Sequence, residues 1–198
     1  MNKAYYWYRP HPYLDNFYSG KILNPIVDTT IFSKYFSDPI KIELIEKYFP
    51  NGLNPHGLSM FLSRNLVNPE VNEPITDIIF ELVRQLHFPE APSRLSSLYA
   101  SESIQQAFIW KSFLQTGEQS VIDLWEIEFQ TNAQLYDASF LGIGSKNDFS
   151  FLTAMDNAHK YWNGGRSQKP LLELLIPYPA TVTRKISNSD LMSIDIPC

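Results

Sequence analysis

The stretch Lys169–Val182, KPLLELLIPYPATV, decides how this chain is read. Leucines and an isoleucine run between prolines, which predicts a buried strand, and Glu173 stands in its middle. A carboxylate there is costly unless something uses it or pairs with it. Side chains alternate along a strand, so Leu172, Leu174 and Ile176 share one face and Leu171, Glu173 and Leu175 the other. Two readings of Glu173 follow. Either the strand is an edge and the carboxylate is solvated, or Glu173 lines a pocket. For the second, the preceding loop NGGRSQK carries Gly164–Gly165, which would let it open and close over a pocket mouth.

Outward from this strand, the pattern alternates between the two periods. AYYWYR (4–9) reads as a first strand, ended by Pro10 and Pro12. Residues 29–64 read as short helical pieces broken at SDP and FPNGLNPHG. ITDIIFELVRQLH (75–87) is the clearest helix, with Asn72 and Pro74 at its start and Ile75, Ile78, Ile79, Leu82, Val83 and Leu86 as its apolar face. SRLSSLYAS (93–101) reads as a strand. SESIQQAFIWKSFL (101–114) follows as a helix with Ser103 and Gln106 in a capping box, closed by Gly117. SVIDLWEIEFQ (120–130) is a strand, and Glu126 and Glu128 fall on its solvated face. Residues 131–147 fit no single element. FSFLTAMDNAHKYW (149–162) is a helix capped by Asp148, and a last strand covers 180–186. This order predicts one mixed α+β domain over residues 1–198, with a helical insertion at about 29–72.

Composition narrows the function. A net charge of −5 and a pI near 5.3 argue against nucleic-acid binding by bulk charge, though not against a local basic patch. The single cysteine, Cys198, makes neither an internal disulfide nor a cysteine zinc site, and the four histidines lack metal-ligand spacing, so no metal is expected. His87 falls at a helix end, and His11 follows Arg9 closely. The first residues do not read as a signal peptide, and no run reaches the ~18 apolar residues of a membrane span. A soluble cytoplasmic protein with no membrane partner is the expectation.

Three short motifs resemble a known family. ELLIPYP looks like the last signature of the ADP-ribosyltransferases, whose catalytic glutamate opens a strand of the type E-V-L-I-P-P; the matching residue is Glu173. Their first strand carries an NAD-contacting arginine after an aromatic residue, and YYWYR offers Tyr8–Arg9. Their middle strand carries a serine-rich motif or a nicotinamide-stacking tyrosine, and SSLYASESIQQAF offers Ser97, Tyr99 and Ser101. The likeness covers the start of the chain and residues 80–186, and extends to a poorly characterised prokaryotic and phage group with this fold.

The resemblance implies an ADP-ribosyltransferase-like split antiparallel β core with flanking helices. It implies NAD as co-substrate, Glu173 as the catalytic residue, and Arg9, Arg94, Ser97 and Tyr99 as cofactor-binding residues. Glu173 would stabilise positive charge on the ribose and hold its 2′-hydroxyl. Arg9, with Arg94 as a second candidate, would pair with phosphate. Tyr99 would stack on nicotinamide, and Ser97 would hydrogen-bond to Glu173 or to the carboxamide. Each residue also has a structural reading: Arg9 lays its stem on the aromatic cluster, Arg94 is exposed at a strand start, and Tyr99 is core. Arginine-directed members carry Glu-x-Glu; Leu171 holds the matching position here. The acceptor is then a carboxylate, a serine, a nucleobase or a small molecule. As a toxin, phage or anti-phage effector, the protein would modify a protein or nucleic-acid target and could meet an antitoxin or inhibitor protein. The alternatives are a catalytically inactive binding module on the same fold and a non-enzymatic interaction protein.

Overall fold

The computed structural model describes residues 1–9, 16–27, 39–62, 73–114, 122–142, 150–187 and 190. The expected roles of His11, Asn72, Gly117, Asp148 and Cys198, and the expected insertion at 28–38 and 63–72, lie outside the described residues.

The domain is mixed α+β with two antiparallel sheets. The larger has the order β1 (Asn2–Tyr8), β4 (Asp123–Phe129), β7 (Ala180–Lys185), β2 (Ile22–Leu23). The smaller has β6 (Leu172–Pro177) between β3 (Ser97–Ala100) and β5 (Gln134–Asp137). A backbone bridge between Tyr5 and Ser101 links them, with N–H···O distances of 2.8 and 2.9 Å. Leu98, Ala100, Leu174 and Ile176 face the larger sheet and bury themselves against Ala4, Ile127, Phe129 and Val182. Register places Tyr99 opposite Leu175 and Tyr136 opposite Glu173, so Tyr99, Tyr136, Glu173 and Leu175 share the other face. That face meets α3 (Glu73–His87) and α5 (Phe151–Trp162). The β6 alternation is the one its sequence requires, but the strand is central, which removes the solvated-edge reading of Glu173.

Helix α3 is turned relative to its apolar stripe. Ile75, Ile78, Leu82 and Leu86 are exposed, whereas Thr76, Asp77, Ile79, Phe80, Glu81 and Val83 are buried. Of the predicted face only Ile79 and Val83 are buried, because the buried face is rotated toward a side that carries two acids. Those acids are matched: Glu81 accepts from Arg84 and Gln85 and from the Ser93 hydroxyl at 2.9 Å, and Asp77 from Arg94 and His56. The indole of Trp162 donates to the carbonyl of Phe80 at 2.7 Å and ties α5 to α3.

Other expectations shift similarly. The segment 93–101 is a strand only from Ser97; Ser93 caps a single turn of 3₁₀-helix at Arg94–Ser96. Ser150, accepting from the N–H of Thr153 at 3.2 Å, caps α5. Of the capping box at 103–106 the Ser103 half forms: Ser103 accepts from Gln106 N–H, while the Gln106 side chain accepts from the N–H of Glu102, one residue before the cap, both at 3.2 Å. Glu126 is buried and accepts from Lys3 at 2.9 Å, so only Glu128 remains partly solvated. The NGGRSQK loop is tied at both ends. Gly164, at φ +73°, and Gly165 close the C-terminus of α5 through bonds to the carbonyls of Tyr161 and Lys160. Buried Asp137 then accepts from the N–H groups of Ser167 and Leu171 at 2.7 and 2.9 Å.

Candidate functional site

One turn of chain carries the centre of the site. Glu81 holds the Ser93 cap, and Asn54 donates to the carbonyls of Arg94 and Ser97, each at 2.6 Å. The Tyr99 hydroxyl donates to the same Arg94 carbonyl. Asn54 also starts helix α2 (Pro55–Leu62), accepting from Gly57 N–H at 2.7 Å, with Pro55 at the first helical position. The start of α2, within the 29–72 region, therefore packs directly on the site. The contact is close at Gly57: a β-carbon there would lie 2.4 Å from the Leu95 carbonyl oxygen. Helix propensity alone would make Gly57→Ala stabilising by about 1 kcal/mol. Instead, crowding against fixed backbone is expected to make it destabilising by about 1–3 kcal/mol in urea denaturation. A raised midpoint would show that α2 can move away freely.

From this turn Arg94 reaches into the domain, 7 % exposed, contrary to the exposed strand-start reading. Its guanidinium donates to the Glu173 carboxylate and, at 3.3 Å, to Asp77. It also lies over the Tyr99 ring, 4.9 Å from the centroid. Tyr161, fully buried, stacks on Tyr136 at 4.6 Å, accepts from Arg94 at 3.1 Å and donates to Glu173 at 2.6 Å. Burial, and then the charge of Glu173, push the Tyr161 hydroxyl well above its ordinary pKa, which keeps it a donor. Burial alone would raise Asp77, but the His56 hydrogen bond and the Arg94 charge outweigh it and hold the carboxyl below its usual value. His56 Nε2 lies 2.7 Å from Asp77 Oδ2. A continuous chain thus runs His56–Asp77–Arg94–Glu173–Tyr161.

Glu173 is 4 % exposed, and both of its bonds fall on Oε1. Among the described residues Oε2 has no hydrogen-bond partner. Glu173 and Arg94 line a cavity of about 180 Å³ walled by Tyr5, Tyr6, Trp7, Tyr99 and Trp110. A second cavity, about 240 Å³, shares Tyr6, Trp7 and Tyr99 as walls and adds Arg9, Asn54, His56, Ser59 and Ser97. Tyr5, Tyr6, Trp7 and Trp110 are therefore cavity walls as well as packing. Neither cavity alone reaches the ~300 Å³ at which small-molecule sites begin.

The five residues singled out from sequence divide between these cavities. Glu173 and Arg94 belong to the first, Arg9 and Ser97 to the second, and Tyr99 to both. Arg9 is exposed and donates to the Leu114 carbonyl; it does not touch Glu173. Ser97 pairs with Pro177, four residues along β6 from Glu173 and so about 13 Å away. The expected Ser97–Glu173 hydrogen bond does not form; Tyr161 and Arg94 hold the carboxylate instead. His56, Asp77 and Tyr161 were missed. For Asp77 a signal existed: an acid four residues before Glu81, on one face of a largely apolar helix. For His56 it was Asn54–Pro55, a helix start read as a break. Tyr161 carried none, since its role depends on which helix face meets β6.

Fold and site together define a mixed α+β domain in which a buried arginine–carboxylate chain opens onto two adjoining aromatic cavities. Residues 16–188 match the family model described as a protein of unknown function, DUF2441, and the chain belongs to that family. No curated protein matches it. Among the described residues no helix is long and apolar enough to cross a membrane, and no group of three or more metal-ligating side chains occurs.

Proposed function

We propose that this protein is an NAD-dependent mono-ADP-ribosyltransferase acting on a macromolecular target, with Glu173 as its catalytic carboxylate. One observation carries the reading: Glu173 is anchored through Oε1 while Oε2 stays without a partner at an aromatic cavity. Breaking the bond between nicotinamide and ribose develops positive charge on the ribose, as in glycoside hydrolysis. A carboxylate fixed in advance stabilises that charge without reorganising, and its second oxygen can accept from the ribose 2′-hydroxyl. The two antiparallel sheets joined at Tyr5–Ser101 support an ADP-ribosyltransferase-like split core.

The other residues take roles that fit their positions. Tyr99, a wall of both cavities, would stack on nicotinamide. Arg9 would meet the pyrophosphate, where its planar guanidinium suits phosphate geometry, with Ser97 bordering the same cavity. Arg94 has its charge taken up by Glu173 and Asp77, so it serves to hold Glu173 rather than phosphate. Leu171 is buried in the core beside α3 and α5, which supports an acceptor other than arginine.

Titration calorimetry with NAD, paired with measurement of nicotinamide release in a lysate, tests the reading. Saturable binding and release of nicotinamide, with label from NAD transferred to a macromolecule, are expected. Binding without release would identify a catalytically inactive module. No NAD binding would leave the likeness one of fold alone.

A further inference from the structure

Glu173 answers for the charge that develops on the ribose, but nothing in that chemistry deprotonates the acceptor. The imidazole of His56 lines the second cavity, with its side chain about 38 % exposed. Its Nε2 faces a carboxylate that can only accept, so the proton between them sits on Nε2. In the neutral ring Nδ1 is then the basic nitrogen, and among the described residues it has no partner. Asp77, buried and braced from behind by Arg94, fixes the tautomer and would steady an imidazolium. Tyr99 meets the His56 ring edge-on at 5.9 Å and fixes its plane, and the capped start of α2 fixes its backbone. A histidine oriented by a buried carboxylate, lining a cavity that shares Tyr6, Trp7 and Tyr99 as walls with the cavity of Glu173, is the arrangement of a general base.

We propose that His56 is the general base for the acceptor, that Asp77 is its positioning residue, and that the acceptor is a neutral hydroxyl group. The proposal rests on the transferase reading. In the step, the bond between ribose C1 and the nicotinamide nitrogen breaks and nicotinamide leaves with the electron pair. The acceptor oxygen forms the new bond to C1, and its proton passes to His56 Nδ1. A carboxylate acceptor arrives deprotonated and needs no base. A guanidinium would bring its charge beside Arg9, which lines the same cavity. A hydroxyl is the acceptor that uses the dyad. Among the described residues the charged and titratable groups around His56 are Asp77, Arg94, Tyr99 and Arg9.

The test compares wild type, His56→Gln and Asp77→Asn, with NAD and a hydroxyl-bearing acceptor at several pH values. Nicotinamide release, label transfer and NAD affinity are all measured. His56→Gln is expected to keep its NAD affinity and circular dichroism while transfer falls about 10²–10⁴-fold. It should also lose the limb of the pH–rate profile that falls toward acid. Added imidazole should restore part of the transfer in His56→Ala. Asp77→Asn should lower transfer and move that limb. Transfer by His56→Gln within threefold of wild type, with the acid limb kept, would overturn the proposal while leaving the transferase reading intact. Wild-type protein that releases no nicotinamide would remove the reading and the proposal together.

Discussion

Arg94→Leu is expected to lower the stability of this domain by about 3–5 kcal/mol, because it removes the guanidinium that two buried carboxylates share. Among the described residues it leaves Asp77 only His56 and Glu173 only the Tyr161 hydroxyl. Asp77 and Glu173 both face the guanidinium, and each is under a tenth exposed. Against a typical total of ~5–15 kcal/mol this is a large share, and for a chain of this size it lowers the melting temperature on the order of 10 °C. The deficit should shrink in acid. Asp77 is held below its ordinary value in the folded wild type, so its contribution is present above the unfolded carboxyl pKa of about 3.9. It is lost as pH falls through the folded value, so below that point the Asp77 share of the deficit disappears. Urea denaturation at pH 7 and in steps below pH 4 checks both statements. A loss below about 1 kcal/mol at pH 7 would mean that the chain His56–Asp77–Arg94–Glu173 does not hold the domain together.

Glu173→Gln is expected to reduce nicotinamide release by about 10²–10³-fold while leaving NAD affinity nearly unchanged. The amide oxygen can replace Oε1 as acceptor for Tyr161 and Arg94, which places the amide nitrogen where Oε2 stood. The negative charge is lost and a donor faces the cavity. A solvated strand residue would tolerate this change within about 0.5 kcal/mol. Glu173 is buried and bonded to a cation, so a stability cost of about 1–3 kcal/mol should accompany the kinetic loss. Single-turnover nicotinamide release and calorimetry, run on a variant shown to be folded at the assay temperature, separate the two effects. Turnover within threefold of wild type would remove Glu173 from the mechanism.

The sequence by itself determined those features that depend on neighbours along the chain. Alternation in LLELLIP set Glu173 opposite in direction to Leu174 and Ile176, and the Ser103–Gln106 spacing set a cap. The predicted α3 and α5 formed within a few residues of their expected limits, because their periodic stretches are long. Glu173 itself was legible as a cost that the fold had to meet.

Only tertiary structure decided how that cost was met. Burial of a helix face is settled by the net free energy of what it meets, not by its hydrophobicity. The face of α3 bearing Asp77 and Glu81 turned inward because Arg94, His56 and Ser93 await it there, with Arg84 of the same helix pairing Glu81, and Ile75, Ile78, Leu82 and Leu86 were left facing outward. Partners separated by 17, 21 and 79 residues in sequence, as Arg94 is from Asp77, Asp77 from His56 and Arg94 from Glu173, have no local period that announces them.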